Sequence, residues 1–167
     1  TWNIHKGVQG LGPARRLEIH NIGQAVEQLD ADIVCLQEVR LMHRLEERHF
    51  AHWPSQPQAD FLAPEGYVSV YRTNAVTRHG EHGNALLSRW PVLSEQHRDL
   101  SDHRFEQRGL LHSEIQVIDR VVHVIVVHLG LVPASRVRQV VQLLAFIDQN
   151  MSAQAPVLVA GDFNDWG

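Results

Sequence analysis

Asp162 and Asn164 stand two residues apart just after the apolar run Val157-Leu158-Val159-Ala160, which Gly161 closes. In extended chain, side chains at i and i+2 point to the same side, so a carboxylate and an amide arrive together. Such a pair can hold a hard cation, align a water or donate to an oxyanion. It can equally be a polar turn that ends a strand, and taken alone the plainer reading wins. Three more strand-like runs carry polar groups at or near their ends: Asn3 in Trp2-Asn3-Ile4-His5, Glu38 after Ile33-Val34-Cys35-Leu36-Gln37, and His128 at the end of an apolar run. Singly, Asn3 could cap a turn, Glu38 could pair with Arg40, and His128 could be a hydrogen-bonded core histidine. Together they offer hard oxygen ligands, an imidazole that titrates near neutrality and an amide donor. Those are the parts that magnesium-dependent hydrolysis of a phosphoester uses.

These groups need a frame. A short strand at 2–5 is stopped by Gly7 and Gly10-Leu11-Gly12-Pro13, and the spacing of Ile22, Ala25, Val26 and Leu29 predicts a helix over 15–29. Residues 33–36 read as a strand buried on both faces. A short helix is expected at 44–50, followed at 51–66 by a long surface loop rich in Pro, Gln and Asp that shapes the substrate side. Strands follow at 67–71 and 84–88 with a polar segment at 77–83 before the second, then a charged connection at 98–107. Residues 109–117 and 121–129 should form a hairpin around Ile118-Asp119-Arg120. Residues 133–149 read as an amphipathic packing helix begun by Pro133, with Val137, Val140, Val141 and Leu144 on its apolar face. Hairpins interleaved with βαβ pieces predict mixed sheets.

The bulk composition narrows the function. The 167 residues, 44% hydrophobic and 20% charged, are expected to form one domain over 1–167. No apolar run reaches the ~20 residues that cross a bilayer, and the first residues lack the pattern of a signal peptide, so a cytoplasmic protein without stable membrane insertion is expected. The chain opens on Thr1 inside strand-like sequence, which suggests a start further upstream. Cys35, the single cysteine, lies in an apolar run and reads as a small buried hydrophobe. A formal charge of −4 argues against a broad electrostatic grip on nucleic acid, although a local phosphate site built on arginine is compatible with it. The twelve histidines show no zinc-type spacing. Nothing in the sequence names a protein partner.

The stretches Thr1-Trp2-Asn3-Ile4-His5, Ile33-Val34-Cys35-Leu36-Gln37-Glu38-Val39, Gly83-Asn84-Ala85-Leu86-Leu87-Ser88-Arg89, Val127-His128-Leu129 and Gly161-Asp162-Phe163-Asn164 occur in this order. Together they resemble the endonuclease/exonuclease/phosphatase superfamily, of deoxyribonuclease-I-like fold. The Asn-Ile-His-Lys-Gly start and the Asp-Phe-Asn-Asp-Trp run are most similar to small bacterial members of undefined substrate. The resemblance implies an α/β fold: a two-sheet, four-layer sandwich with mixed sheets and outer helices, its C-terminal part missing from this chain. It implies Mg²⁺ or Mn²⁺ as cofactor, with Asn3 and Glu38 at the metal site and Glu38 the direct ligand. Asp162 would orient or deprotonate the attacking water, and Asn164 would hold phosphate and nucleophile. His128 would protonate the leaving oxygen or stabilise the pentacovalent state. Arg108 would contact substrate phosphate, and Arg40 would do the same unless it forms a surface ion pair.

The resemblance also implies a closing Ser-Asp-His near the C-terminus. Ser101-Asp102-His103 matches it in letters but lies too far upstream, and is expected to be a surface loop. The implied activity is metal-dependent phosphoester hydrolysis, first of all a nuclease-type phosphodiesterase acting on nucleic acid or nucleotide. The alternatives are a phosphomonoesterase, a sphingomyelinase-like lipid phosphodiesterase using Trp53 and Phe61, or a non-catalytic binding domain.

Overall fold

Two four-stranded sheets take up the apolar runs in a computed structural model that describes residues 1–165. Trp166, which ends the Asp-Phe-Asn-Asp-Trp run, lies outside the described residues. In chain order the elements are β1 (Trp2–Asn3), β2 (Val8–Gln9), β3 (Arg16–Leu17), α1 (Ile19–Leu29), β4 (Ile33–Val39), α2 (Arg44–His49), α3 (Gln58–Leu62), β5 (Val68–Thr77), β6 (Gly80–Ser88), β7 (Val92–Asp99), β8 (Gly109–Val117), β9 (Arg120–His128), α4 (Pro133–Asn150) and β10 (Val157–Asp162). The first sheet runs β1-β4-β6-β5 and the second β10-β9-β8-β7. Each has one parallel pair, β1 with β4 and β10 with β9, and is otherwise antiparallel. The sheets are therefore mixed, as the interleaved hairpins and crossovers predict.

Alternation along the strands builds four layers. On β4, Val34 and Leu36 pack with Ile19, Ile22 and Val26 of α1 and with Ala59 and Leu62 of α3. Ile33 and Cys35 point the other way and meet Leu111, Ile115, Val124 and Val126 of the second sheet. On β9, Ile125 and Val127 pack under Leu143 and Phe146 of α4. Each sheet is covered on both faces, which is why its central strands read as unbroken apolar runs. Asn84 of β6, fully buried, donates to the Gly109 carbonyl at 2.9 Å and the Val126 carbonyl at 3.1 Å. Hydrogen bonds as well as apolar contact thus fix the first sheet on the second.

Several elements depart from the sequence reading. The helix over 15–29 starts only at Ile19, because Arg16–Leu17 pairs with Val8–Gln9 as a small antiparallel ribbon. The loop at 51–66 contains α3, whose Gln58, Ala59 and Leu62 are buried, so this stretch is partly a wall of the core. The polar segment 77–83 is the outer end of the β5–β6 hairpin, where the ladder runs on to Thr77 opposite Gly80. β7 lacks an apolar signal since it is the edge strand of its sheet and mostly exposed.

α4 presents a different face from the one the valines mark. Ser135, Gln139, Leu143 and Phe146 are buried, while Val137, Val141 and Leu144 are 65%, 61% and 59% exposed. The helix docks this way because its polar groups find partners. Gln139 Oε1 accepts from the Gly130 N–H at 2.8 Å, and Asp102 accepts from Ser135 and, through both carboxylate oxygens, from Arg138. The Ser101-Asp102-His103 triplet is therefore an anchor for α4.

Candidate active site

The polar strand ends converge. Asn3 and Glu38 come from the C-terminal ends of the parallel pair β1 and β4, and His128 and Asp162 from the ends of the parallel pair β9 and β10, where they sit opposite each other in register. The Asn3 amide joins the two sheets: Nδ2 donates to Asp162 Oδ2 at 2.9 Å and to Glu38 Oε1 at 3.3 Å. His128 Nε2 lies 3.7 Å from Asp162 Oδ2. Asn164 donates its backbone N–H to Asp162 Oδ1 at 3.0 Å and its side-chain amide to the Leu129 carbonyl at 2.7 Å. Arg108 is held by the same carbonyl, 3.0 Å from Nε, and by Glu106, 3.1 Å from Nη2. Asn3, Glu38, Arg108, His128, Asp162 and Asn164 line one cavity of about 550 Å³. A second cavity of about 700 Å³ adjoins it and shares Trp2, Asn3, His5 and Glu38 as a common wall.

Backbone strain gathers here. Among the described residues six non-glycine residues have positive φ, and four of them are His5 at 47°, Lys6 at 65°, Glu38 at 55° and Asn164 at 49°. For a residue with a Cβ the left-handed conformation costs roughly 1–2 kcal/mol, and it persists where surrounding contacts enforce it. Glu38 sits in the register shift of β4 between Leu36 and Val39, which re-aims its carboxylate at the strand's end. The His5–Gly7 turn is pinned from α3: Gln58 donates to the Lys6 carbonyl at 2.9 Å and accepts from the Arg40 N–H at 2.8 Å. Lys6 in turn places its Nζ 2.9 Å from Glu38 Oε2.

Charge and burial set the protonation states. Burial pushes the Glu38 carboxyl up, but the Lys6 ammonium and the Asn3 amide, with His128 behind them, bring it down to about 2. Burial and then the Arg108 guanidinium pull His128 below its ordinary value, against the opposing pull of Glu38 and Asp162. His82, burial again the first cause and Lys6 the second, is pushed down to about 4. A histidine whose folded pKa is depressed binds more protons unfolded, so its contribution is complete above about 6.5 and is lost as pH falls below that value. His128→Gln is therefore expected to flatten, without abolishing, the fall of urea midpoint between pH 7.5 and 5 in chelator, because His82 contributes with the same sign. An unchanged slope would show that His128 is not held neutral by the fold.

Residues 1–167 match the Endonuclease/Exonuclease/phosphatase family along their whole length. The chain belongs to the endonuclease/exonuclease/phosphatase family. It is 41% identical over 169 residues to the uncharacterized protein YbhP of Escherichia coli and of Shigella flexneri, covering 99% of this chain and 66% of theirs, so it spans a little less than two thirds of those relatives. Among solved structures it is similar to a family protein from Leptotrichia buccalis, with TM-score 0.70 and 15% identity over 97% of this chain and 64% of that one. The human Nocturnin catalytic domain, solved with a bound sulfate, gives TM-score 0.68 and 22% identity over 98% and 62% of the two chains. These likenesses show the deoxyribonuclease-I-like fold.

Of the seven residues that the family resemblance singled out, six line the one cavity and Arg40 does not. The Arg40 guanidinium is buried, lies 3.3 Å from Glu46, which also takes Arg15, and stands 5.8 Å from the centre of the Trp53 ring. Trp53 in turn stacks on Phe50, and Phe61 packs edge-on against His20; both rings are half-buried. Sequence reasoning passed over Lys6 and Gln58. Lys6 sits inside the Asn-Ile-His-Lys-Gly start and was open to notice; nothing local marks Gln58, whose partners are 52 and 18 residues away.

The donor set fits a hard divalent cation of the kind family members use. Glu38 and Asp162 supply carboxylate oxygens on neighbouring strand ends, and the Lys6 ammonium already shows a cation seated on Glu38. Among the described residues no group of three or more His, Cys, Asp or Glu is placed to hold a metal ion. Asn3 turns its amide nitrogen to both carboxylates, so in this geometry it positions them.

Proposed function

We propose that this protein is a metal-dependent phosphoesterase, of phosphodiesterase or nuclease type, acting on a nucleic acid or nucleotide. The observation that carries the reading is the Asn3 amide bound to both Glu38 and Asp162, which brings two carboxylates from separate sheets to one cavity beside His128 and Arg108. Glu38, with Asp162 beside it, would hold Mg²⁺ or Mn²⁺, which supplies positive charge at a phosphoryl oxygen. Asp162, with its two oxygens fixed by Asn3 and the Asn164 N–H, orients or deprotonates the attacking water. Asn164 steadies phosphate and nucleophile. His128 protonates or hydrogen-bonds the leaving oxygen, or donates a hydrogen bond to an oxygen of the pentacovalent state, and Arg108, fixed by Leu129 and Glu106, draws the phosphate by charge.

The adjoining cavities suit a phosphate flanked by organic groups. ANGEL2, described as a 2′,3′-cyclic phosphatase and solved with adenosine-2′,3′-vanadate, shares the fold at TM-score 0.63, which favours a nucleotide-type substrate here too. The buried free Cys35 suits a reducing, cytoplasmic setting. The intact protein is expected to hydrolyse bis(p-nitrophenyl) phosphate with Mg²⁺ or Mn²⁺ and to stop with chelator. Glu38→Gln should lower the metal-stimulated rate by about a hundredfold or more. The rate on this diester relative to p-nitrophenyl phosphate separates diesterase from monoesterase. No cleavage of either ester with any divalent metal would leave a binding domain of the same fold.

A further inference from the structure

We propose that Lys6 is an exchangeable cation of the active site: its ammonium holds Glu38 until a divalent cation takes that carboxylate, and then turns to the substrate phosphate. The inference rests on the phosphoesterase reading and adds a residue that neither the family motifs nor the relatives assign.

The geometry poses the exchange directly. Glu38 Oε1 is taken by the Asn3 amide and Oε2 by Lys6 Nζ at 2.9 Å. Were Glu38 to hold a divalent cation, the Lys6 ammonium would lie within a few ångströms of that charge and be repelled strongly. Among the described residues Glu38 has no other ion-pair partner, so Lys6 is the group that must move. The other nearby cations are committed elsewhere, Arg15 and Arg40 to Glu46 and Arg108 to Glu106.

The two ends of Lys6 are held differently. Its backbone is fixed: φ is 65°, Gln58 binds its carbonyl, and the next carbonyl, of Gly7, accepts from the Glu18 N–H at 2.9 Å. Gln58 also binds the N–H of Arg40, two residues past Glu38, so one buried amide sets the Lys6 turn against the Glu38 strand end. The ammonium, by contrast, is a compact charge on a flexible four-carbon stem, and the side chain is 35% exposed. A fixed base and a free tip in the larger cavity, beside the Glu38 carboxylate that both cavities share, are what an exchange between carboxylate and phosphate requires. A lysine serving only as surface charge would not need the left-handed backbone that puts it there.

The test is a pair of calorimetric titrations on the intact protein, with Mn²⁺ and then with inorganic phosphate added to the Mn²⁺-loaded protein. Lys6→Met keeps most of the stem and removes the charge. It is expected to bind Mn²⁺ about tenfold more tightly than wild type and phosphate about tenfold more weakly, whereas Lys6→Arg keeps both within about threefold. Opposite signs from one substitution are not the mark of a merely structural ion pair. If Glu38→Gln binds Mn²⁺ as wild type does, the metal reading of the site fails, and the proposal with it. If Glu38→Gln loses Mn²⁺ but Lys6→Met binds it no tighter, or binds phosphate unchanged, the exchange is overturned while the site stands.

Discussion

Asp162→Asn is expected to lower phosphodiester hydrolysis by about a thousandfold with only a small change in unfolding midpoint. The amide keeps the size of the carboxylate, and its one oxygen can still accept either from the Asn164 N–H or from Asn3 Nδ2, which bind Asp162 at 3.0 and 2.9 Å. One of those hydrogen bonds is lost, a cost of about 1 kcal/mol. The charge that would activate water and help to seat the cation is lost completely. Rates at saturating metal, read beside a urea titration of the same preparation, check both halves. A residual rate within tenfold of wild type would remove Asp162 from the chemistry and leave it a strand-end tie between the sheets.

Gly161→Ala should be as damaging by a different route. A Cβ at this position would sit 1.9 Å from the Val127 carbonyl oxygen, which belongs to the neighbouring strand and cannot rotate away. β10 would have to lift from β9 one residue before Asp162 and directly beside the register pair Asp162 and His128. Overpacking of this kind costs up to about 3 kcal/mol, occasionally more. The expected result is a large drop in urea midpoint together with loss of activity that added metal does not restore. A variant as stable as wild type would mean that the strands part there without cost, which contradicts the tight β10–β9 ladder.

The frame was more legible in the sequence than the fittings. β4, β8 and β9 were readable because both faces of each are covered, leaving runs that admit few polar residues. β7 was not, since an edge strand carries polar side chains like any loop. α3 was hidden by its five-residue length, too short for a periodic pattern, and its buried Gln58 looks in sequence like any surface glutamine. On α4 the rows of valine were misleading: the buried side is chosen by what Gln139 and Ser135 can bind as much as by apolar content. At the site, Asn3, Glu38, His128, Asp162 and Asn164 announced themselves as polar groups where strands should end apolar. Arg40 was read either as a phosphate contact or as half of an ion pair; its guanidinium pairs with Glu46 beside Trp53, on the wall of the adjoining cavity. A residue type and a spacing can mark a strand end; they do not say which way a long side chain turns.

The hydrogen bond from Asn3 to Asp162 spans 159 residues of sequence. No shorter segment can close this bridge from Asn3 to Asp162, so the site is among the last features to form as the chain folds, after β10 has paired with β9 and the two sheets have met. Contacts of such separation are slow to close. A chain emerging from the ribosome would carry Asn3 and Glu38 long before Asp162 is made, and would remain chemically silent throughout that interval. On the proposed function, hydrolysis by the intact protein would return during refolding no sooner than β10 docks and the sandwich closes.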